Sequence, residues 1–313
     1  MADVSESTAL PITTVAVIGA GTLGAQIAAM TAASGRTVRL YDVVPGAAEA
    51  ALDRLRLLLQ PVIERGELDW ALESVLARIA PVASLGDAVG GVDLVIEAVR
   101  EDLPTKRALF AEIAVLNPDP LLATNSSSLP SSTLADVVPD PGKLVNLHFF
   151  SEFWSRSCVE LMGCGRTTGE TMSVLADFGR SLGLYTAVVR GESKGFIINR
   201  VWRAVKREAL AVVDGGHADP EDVDRLWAFF WDIDYGPFAM MDHVGLNVVA
   251  DIEDSYIAVS RDPTDRPSAA LHELVSAGHL GEKTGSGFYA YPNPAYRAPG
   301  WPRSGERSVE RPE

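Results

Sequence analysis

The stretch VAVIGAGTLG at residues 15–24 decides the fold, because it joins a short apolar strand to a glycine-rich turn and a helix. A GxGxxG spacing is a weak signal alone, but it gains meaning between a strand and a helix. Gly19 allows a tight turn, Gly21 lets the backbone approach a diphosphate, and Gly24 lets the helix pack on the strand. The predicted nucleotide contacts in this segment are Gly19, Gly21, Thr22, Leu23 and Gly24.

A carboxylate follows this turn at the distance that dinucleotide binding requires. Asp42 lies about 20 residues on, at the end of a second apolar strand. A carboxylate there accepts both ribose hydroxyls and repels a 2′-phosphate, so the sequence predicts NAD rather than NADP as the cofactor. The amides at the start of the first helix would hold the phosphates.

The rest of the first half alternates short apolar strands with helices. Further strands are predicted at residues 94–99, 121–124, 144–149, 159–162 and 185–189. We expect a parallel sheet with helices on both faces. Residues 46–79 show no strand signal, and their helical periodicity predicts a helical insertion.

After Arg190 the pattern becomes helical, with helices predicted at residues 196–213, 237–260 and 269–277. The predicted fold class is an α/β Rossmann-type NAD-binding domain with a helical insertion, followed by an all-α C-terminal domain. The predicted limits are residues 11–191 for the first domain and 192–291 for the second. Residues 292–313, dense in Pro, Arg, Ser and Glu, are predicted to be a disordered tail.

The composition argues against several classes of function. A net charge of −15 over 313 residues repels polyanions, so nucleic acid is not an expected partner. No apolar run is long enough for a membrane helix, and residues 1–10 lack the order of a secretory signal. The two cysteines, Cys158 and Cys164, are expected to be reduced thiols in the cytoplasm. No metal site is predicted.

Three segments carry polar side chains that could form a catalytic site. They are Asn125-Ser126-Ser127-Ser128-Leu129, Leu147-His148-Phe149-Phe150 with Glu160 beyond it, and Gly195-Phe196-Ile197-Ile198-Asn199-Arg200. Each has a simpler interpretation when taken singly. A histidine in an apolar strand can be a core residue, serines after a strand can cap a helix, and a helical asparagine can be solvated.

Together these segments resemble the L-3-hydroxyacyl-CoA dehydrogenase family, over about residues 15–289. Further segments that match its C-terminal signatures are Gly236-Pro237-Phe238, Asp242-x-x-Gly245-Leu246 and Lys283-Thr284-Gly285-x-Gly287-Phe288-Tyr289. So many motifs in order are specific for the superfamily. They are less specific for the substrate, because relatives act on carnitine, gulonate and carrier-bound acyl groups.

The resemblance implies roles for particular residues. His148 would be the general base, or the acid in reverse, because a histidine titrates near neutral pH. Glu160 would fix its tautomer and favour its charged form. Ser127 and Asn199 would hydrogen-bond the reacting oxygen, which puts the expected site between the two domains.

The same resemblance implies further cofactor contacts. Glu101 and Lys106 would lie near the nicotinamide ribose, although Lys106 could equally be an exposed helix lysine. Lys283 would reach the cofactor side, and Ser127 belongs to the predicted cofactor-binding set as well. The helical domain is expected to form a homodimer, as in relatives.

The sequence also departs from the family. Ser151-Glu152 replaces the usual Asn-Pro, and Ser151 stays in the predicted cofactor-binding set as a hydrogen-bond donor. Trp154 and Arg156 follow, and Arg156 could hold a carboxylate or phosphate. Lys194 replaces a proline before Gly195. The insertion, where acyl-CoA enzymes grip coenzyme A, offers only Arg54, Arg56, Arg65 and Arg78.

Three functions therefore stay open. The first is oxidation of an L-3-hydroxyacyl thioester such as 3-hydroxybutyryl-CoA, or its reversal, by hydride transfer to NAD. The second keeps this chemistry for a carrier-protein-bound acyl group or a small polar 3-hydroxy acid. The third is a catalytically silent NAD-binding protein of the lens crystallin type.

Overall fold

An eight-stranded sheet forms the centre of the first of two units into which the contacts divide the chain, between Ile197 and Ile198. The structure, a computed structural model, describes residues 12–258 and 260–301. The strand order is β3-β2-β1-β4-β5-β6-β7-β8. The strands are β1 (Thr14–Ile18), β2 (Thr37–Tyr41), β3 (Ile79–Pro81), β4 (Leu94–Glu97), β5 (Leu121–Thr124), β6 (Leu144–Phe149), β7 (Cys158–Gly163) and β8 (Tyr185–Val189).

Helices cover both faces of this sheet, as predicted. They are α1 (Thr22–Ala33), α2 (Ala47–Glu64), α3 (Leu72–Leu76), α4 (Leu85–Val89), α5 (Leu103–Leu116) and α6 (Gly169–Ser181). Side chains alternate along each strand, so Val15 and Val17 pack with α1 while Ala16 and Ile18 pack with the cluster that contains Phe110 of α5.

The prediction of a parallel sheet is wrong at one position. Strand β7 runs antiparallel to β6, whereas the other neighbouring pairs are parallel. Only residues 150–157 join β6 to β7, and a parallel crossover needs a dozen or more residues. Because of the reversal, His148 of β6 lies directly opposite Glu160 of β7.

Two small elements escaped the sequence analysis. Strand β3 has only three residues, lies at the edge of the sheet and ends at Pro81, which lacks the amide that a central strand needs. Helix α4 has five residues and is capped by Ser84, whose hydroxyl accepts from the amide of Asp87. Both are too short to give a periodic signal.

The second unit is built from helices in the part of it that the structure describes. They are α7 (Ile198–Asp214), α8 (Pro220–Trp231), α9 (Pro237–Val244), α10 (Leu246–Ile257) and α11 (Ala269–Ser276). The helix predicted at residues 237–260 is two helices, because Gly245 has a φ of +99° and ends the first one. Within the predicted tail, residues 292–301 are described, and there the carboxylate of Glu282 accepts from Tyr296 and Arg297. The remainder of that tail lies outside the described residues.

Two buried aspartates organise this unit and explain its glycine motifs. Asp224 accepts from the amides of Phe238 and Ala239 and from the hydroxyl of Tyr289. Asp242 accepts from the amides of Phe288 and Tyr289. A Cβ atom at Gly236 would lie 2.5 Å from Asp224, and one at Gly287 would lie 2.1 Å from Asp242. These family signatures therefore mark packing around buried carboxylates.

Candidate active site

The glycine-rich turn has the geometry that its sequence predicts. Gly19 has a φ of +106°, and a Cβ there would lie 2.5 Å from the carbonyl oxygen of Ala98. A Cβ on Gly24 would lie 1.9 Å from the Gly19 carbonyl oxygen, whereas one on Gly21 would meet nothing within 4 Å. Helix α1 has no side-chain cap at its N-terminus. The turn thus leaves open space and uncapped amides where a diphosphate would lie.

Asp42 stands beside this turn at the end of β2. Its carboxylate accepts from the amide of Ala20 at 2.7 Å and from that of Val44 at 2.9 Å, so it is fixed before any cofactor binds. A cavity of about 690 Å³ opens next to it, lined by Gly21, Asp42, Val43 and Ala108 among others. These residues fit the adenosine half of NAD.

His148 and Glu160 come together on β6 and β7. The antiparallel register pairs them directly, and the Nδ1 atom of His148 lies 3.0 Å from an Oε atom of Glu160. Both side chains are buried, with 7% and 5% of their surface exposed. The other Glu160 oxygen accepts from the amide of Ile197 at 2.9 Å. The carboxylate is therefore held from two sides, and the pair fixes the ring orientation.

Aromatic rings enclose the imidazole. Phe150 contacts it edge-on at 4.6 Å between centroids, and Phe196 stacks on it at 4.9 Å. Phe196 has a φ of +53° and follows Gly195 at +81°, so the backbone turns sharply to deliver this ring. The GF motif at residues 195–196 thus helps to form the pocket that holds the His148 ring.

Glu101 joins the serine segment to β4. Its carboxylate accepts from the hydroxyl of Ser126 at 2.5 Å and from the amide and hydroxyl of Ser128. Burial raises the pKa of Glu101, but the hydrogen bonds from both serines and the charge of Lys106 outweigh burial, so the pKa lies below its usual range. Ser127, between the two bound serines, is exposed.

Lys106 is not an exposed helix lysine, since only 1% of its side chain is accessible. Its ammonium lies 2.6 Å from Glu97 and 3.3 Å from Glu101. Glu97, which is fully buried, also accepts from the hydroxyl of Thr124 at 2.6 Å. A chain of charged and polar groups thus crosses the ends of β4 and β5. The sequence analysis missed Glu97, although a glutamate ending an otherwise apolar strand is a usable signal.

Two asparagines lock the serine segment to β6. Asn125 accepts from the amide of Phe149 at 2.8 Å, one residue after His148. Asn146, fully buried, accepts from the amide of Ser131 at 2.6 Å and donates to the carbonyl of Leu129 at 2.9 Å. Asn146 and His148 share one face of β6. The sequence analysis missed Asn146, whose signal was its position two residues before the histidine.

The segment after β6 is anchored within the first unit by contacts of its backbone and side chains. Glu152 donates its amide to the side chain of Gln26, and Trp154 packs on the buried ring of Phe153. The guanidinium of Arg156 lies 3.5 Å from the Glu152 carboxylate and 3.4 Å from the carbonyl oxygen of Ser151. Arg156 is therefore held loosely, and its charge is partly neutralised.

The basic side chains of the insertion are used within the protein. Arg56 pairs with Asp53 and Glu73, and Arg65 pairs with Glu67. Arg78 and Arg54 donate to backbone carbonyls instead, those of Gly35 and Ala20.

Two predicted site residues belong to the second unit. Asn199 lies in the first turn of α7, and the ammonium of Lys283 donates to the side chain of Asn247 at the start of α10. Their roles at the active site stay predictions.

The described part of the chain shows no cluster of three His, Cys, Asp or Glu side chains that could hold a metal ion. None of the helices within residues 12–258 and 260–301 combines the length and apolar character that crossing a membrane requires.

Two family models match the chain in succession. The NAD binding domain of 3-hydroxyacyl-CoA dehydrogenase matches residues 14–193, and the C-terminal domain of the same enzyme matches residues 195–291.

Individual relatives agree with these matches. A probable 3-hydroxybutyryl-CoA dehydrogenase of Bacillus subtilis is 34% identical over 284 residues, which are 90% of this chain and 98% of the relative. The 3-hydroxyadipyl-CoA dehydrogenase of Escherichia coli is 36% identical over 89% of this chain, which spans 59% of that longer protein. The crystal structure of (S)-3-hydroxybutyryl-CoA dehydrogenase from Ralstonia eutropha superposes with a TM-score of 0.83 at 31% identity, covering 90% of this chain and 100% of the other.

Proposed function

The chain belongs to the 3-hydroxyacyl-CoA dehydrogenase family, and on that premise we propose that it oxidises an L-3-hydroxyacyl thioester, such as 3-hydroxybutyryl-CoA, to the 3-oxoacyl thioester, or catalyses the reverse. The observation that carries the proposal is the buried pair of His148 and Glu160. NAD supplies the hydride acceptor when it is bound. The protein must move the hydroxyl proton and hold the reacting oxygen.

His148 moves that proton through one particular nitrogen. Glu160 occupies Nδ1, which leaves Nε2 as the atom that meets the 3-hydroxyl. Because Glu160 also accepts from the amide of Ile197, the carboxylate cannot rotate away without losing a second hydrogen bond. The imidazole is thereby ready to accept the proton at Nε2, while its new positive charge faces a fixed carboxylate.

Ser127 and Asn199 would hydrogen-bond the oxygen that loses this proton. Ser127 is suited to this task because its neighbours Ser126 and Ser128 are bound to Glu101, which holds the loop and leaves Ser127 exposed. Asn199 is carried over from the family motif alone. On the cofactor side, we assign Thr22, Leu23, Asp42, Glu101 and Ser151 as contacts, with Lys106 supporting Glu101 and Lys283 as a further contact.

The second unit would mediate a homodimer. Its helices expose large apolar side chains, which a monomer rarely leaves in contact with water. These side chains are Ile198, Val201, Leu226, Phe229, Phe230 and Trp231. A two-fold dimer would bury them. Light scattering at micromolar concentration should give twice the chain mass, and a monomer would contradict this assignment.

The structure offers arguments for and against a substrate with a free carboxylate in place of an acyl-CoA thioester. The loosely held Arg156 favours a substrate with a free carboxylate, and the use of Arg56, Arg65 and Arg78 within the protein leaves less charge for coenzyme A. Against this, Glu152 partly neutralises Arg156, so we place the thioester first.

A substrate panel tests the proposal. NADH oxidation would be followed with acetoacetyl-CoA, with an acetoacetyl carrier protein and with a small free 3-oxo acid. We expect the highest kcat/KM with acetoacetyl-CoA. Preference for the free acid, abolished by Arg156→Gln, would favour the polar-acid class. NADH binding without turnover of any of the three would support the silent, crystallin-like protein.

A further inference from the structure

Helix α2 presents one guanidinium to the glycine-rich turn. The side chain of Arg54 donates to the carbonyl oxygen of Ala20 at 2.5 Å. Ala20 lies between Gly19 and Gly21, and its carbonyl belongs to the peptide that leads into Gly21. The long side chain is thus tied to the backbone at the point where Gly21 leaves open space beside the first amides of α1.

The packing of α2 explains why Arg54 can reach this point. Ala51 and Leu55 are buried where α2 lies on α1, and Arg54 stands next to Leu55 on the exposed side. The amide of Ala20 donates to Asp42 while its carbonyl accepts from Arg54. A carboxylate and a guanidinium therefore hold the same residue of the turn from two directions.

Arg54 forms no ion pair with a side chain that the structure describes. Among the ion pairs of residues 12–258 and 260–301, Arg54 takes part in none, whereas Arg56, two residues further on, contacts both Asp53 and Glu73. A guanidinium carries five N–H donors in a planar fork that matches phosphate oxygens. One N–H directed to Ala20 leaves others for an anion.

We propose that Arg54 binds the diphosphate of the dinucleotide, together with the amides at the start of α1. Asp42 would then select the ribose hydroxyls, and Arg54 would place a positive charge beside the diphosphate. The inference concerns cofactor affinity, so it holds whether the substrate is a thioester or a free acid. Coenzyme A also carries a diphosphate, and the experiment separates the two sources.

The test compares Arg54→Gln with Arg56→Gln by calorimetric titration. We expect Arg54→Gln to raise the Kd of NADH and of ADP about tenfold, the loss that one charge-assisted hydrogen bond causes. Adenosine, which lacks the diphosphate, should bind equally to both variants and to wild type. Arg56→Gln should bind all three ligands like wild type, because its charge is already paired. Arg54→Lys, which keeps the charge, should recover part of the loss.

Two outcomes would overturn the proposal. The first is that Arg54→Gln leaves the Kd values of NADH and ADP unchanged. If in that case the KM of acetoacetyl-CoA rose while that of the N-acetylcysteamine thioester did not, the guanidinium would serve coenzyme A instead. The second is an equal loss of adenosine and ADP binding, which would mean that Arg54 only maintains the conformation of the turn. Thermal unfolding of each variant confirms that it is folded, and none of these titrations requires turnover.

Discussion

His148 and Glu160 face each other across the antiparallel pair β6 and β7, with 3.0 Å between the imidazole Nδ1 and a carboxylate oxygen. Residues directly opposite on antiparallel strands are close neighbours, so the twelve-residue spacing in sequence becomes a direct contact. The one reversal in strand direction therefore builds the proposed catalytic pair.

Replacing Glu160 by glutamine tests what its charge does. Glutamine keeps an acceptor for Ile197 or for the ring, but it cannot stabilise a positive imidazole. We expect kcat of Glu160→Gln to fall at least about tenfold with an unchanged Kd for NADH, because this carboxylate is bound to His148 and Ile197 and is not one of the proposed cofactor contacts. Glu170→Gln on α6 is the control and should be fully active. A wild-type kcat in Glu160→Gln would show that orientation by a neutral group is enough.

Asp42 should set the choice of cofactor. Asp42→Ala removes the acceptor of the ribose hydroxyls and the negative charge that repels a 2′-phosphate. We expect the Kd of NADH to rise between about ten- and a hundredfold, as for the loss of hydrogen bonds to a charged group, while the Kd of NADPH falls or stays level. Fluorescence titration of both cofactors measures the ratio. An unchanged ratio would place the adenosine ribose elsewhere.

Asn146 is expected to position the serine loop rather than to touch substrate. Asn146→Leu leaves the buried amide of Ser131 and the carbonyl of Leu129 without their partner, each at a cost of about 1–3 kcal/mol in the free energy of unfolding. We expect kcat to fall as well, because Ser127 lies on this loop.

The control for stability is Asn117→Ala. Its side chain donates to the carbonyl of Val89 at the other end of the sheet and has no link to the serine loop. Both variants should lower the melting temperature, but only Asn146→Leu should lower kcat measured well below that temperature. Equal kcat values in the two variants would remove the positioning role.

Asp224 makes the stability of the second unit depend on pH. Burial raises its pKa to about 6, although the amides of Phe238 and Ala239 and the hydroxyl of Tyr289 oppose the shift. Because the folded pKa exceeds the unfolded value of about 3.9, the folded state binds this proton more tightly. This stabilising contribution is complete below about pH 4 and is lost as the pH rises through 6.

The measurement compares wild type with Asp224→Asn, which cannot titrate. The stability of wild type minus that of the variant should fall by up to about 3 kcal/mol between pH 4 and pH 7. Urea unfolding at several pH values gives this difference. A difference that grows with pH would mean that the three donors lower the pKa of Asp224 instead.

Local patterns were enough to predict much of the fold. The strand, the GxGxxG turn and Asp42 are close in sequence, so their geometry follows from short-range rules, and the family assignment from ordered motifs is confirmed. The helix boundary at Gly245 was missed because apolar periodicity continues across it, and only the positive φ of that glycine ends α9.

The site was harder to predict where contacts are distant in sequence. The burial of Lys106 depends on Glu97 and on Thr124, which lies on the next strand, and no periodicity in α5 distinguishes a buried lysine from a solvated one. The role of Asn146 depends on a loop that returns to it from β5. Such partners become visible only when the sheet order is known.

The removal of His148 is the most direct test of the proposed chemistry. Wild type and His148→Gln would be compared side by side for NADH binding by fluorescence and for NADH oxidation with acetoacetyl-CoA. We expect equal Kd values for NADH and a kcat that is lower in the variant by about 10²- to 10⁴-fold, the usual contribution of a general acid or base. A variant that binds NADH and keeps the wild-type kcat would contradict the assignment of His148, and with it the catalytic role of the pair.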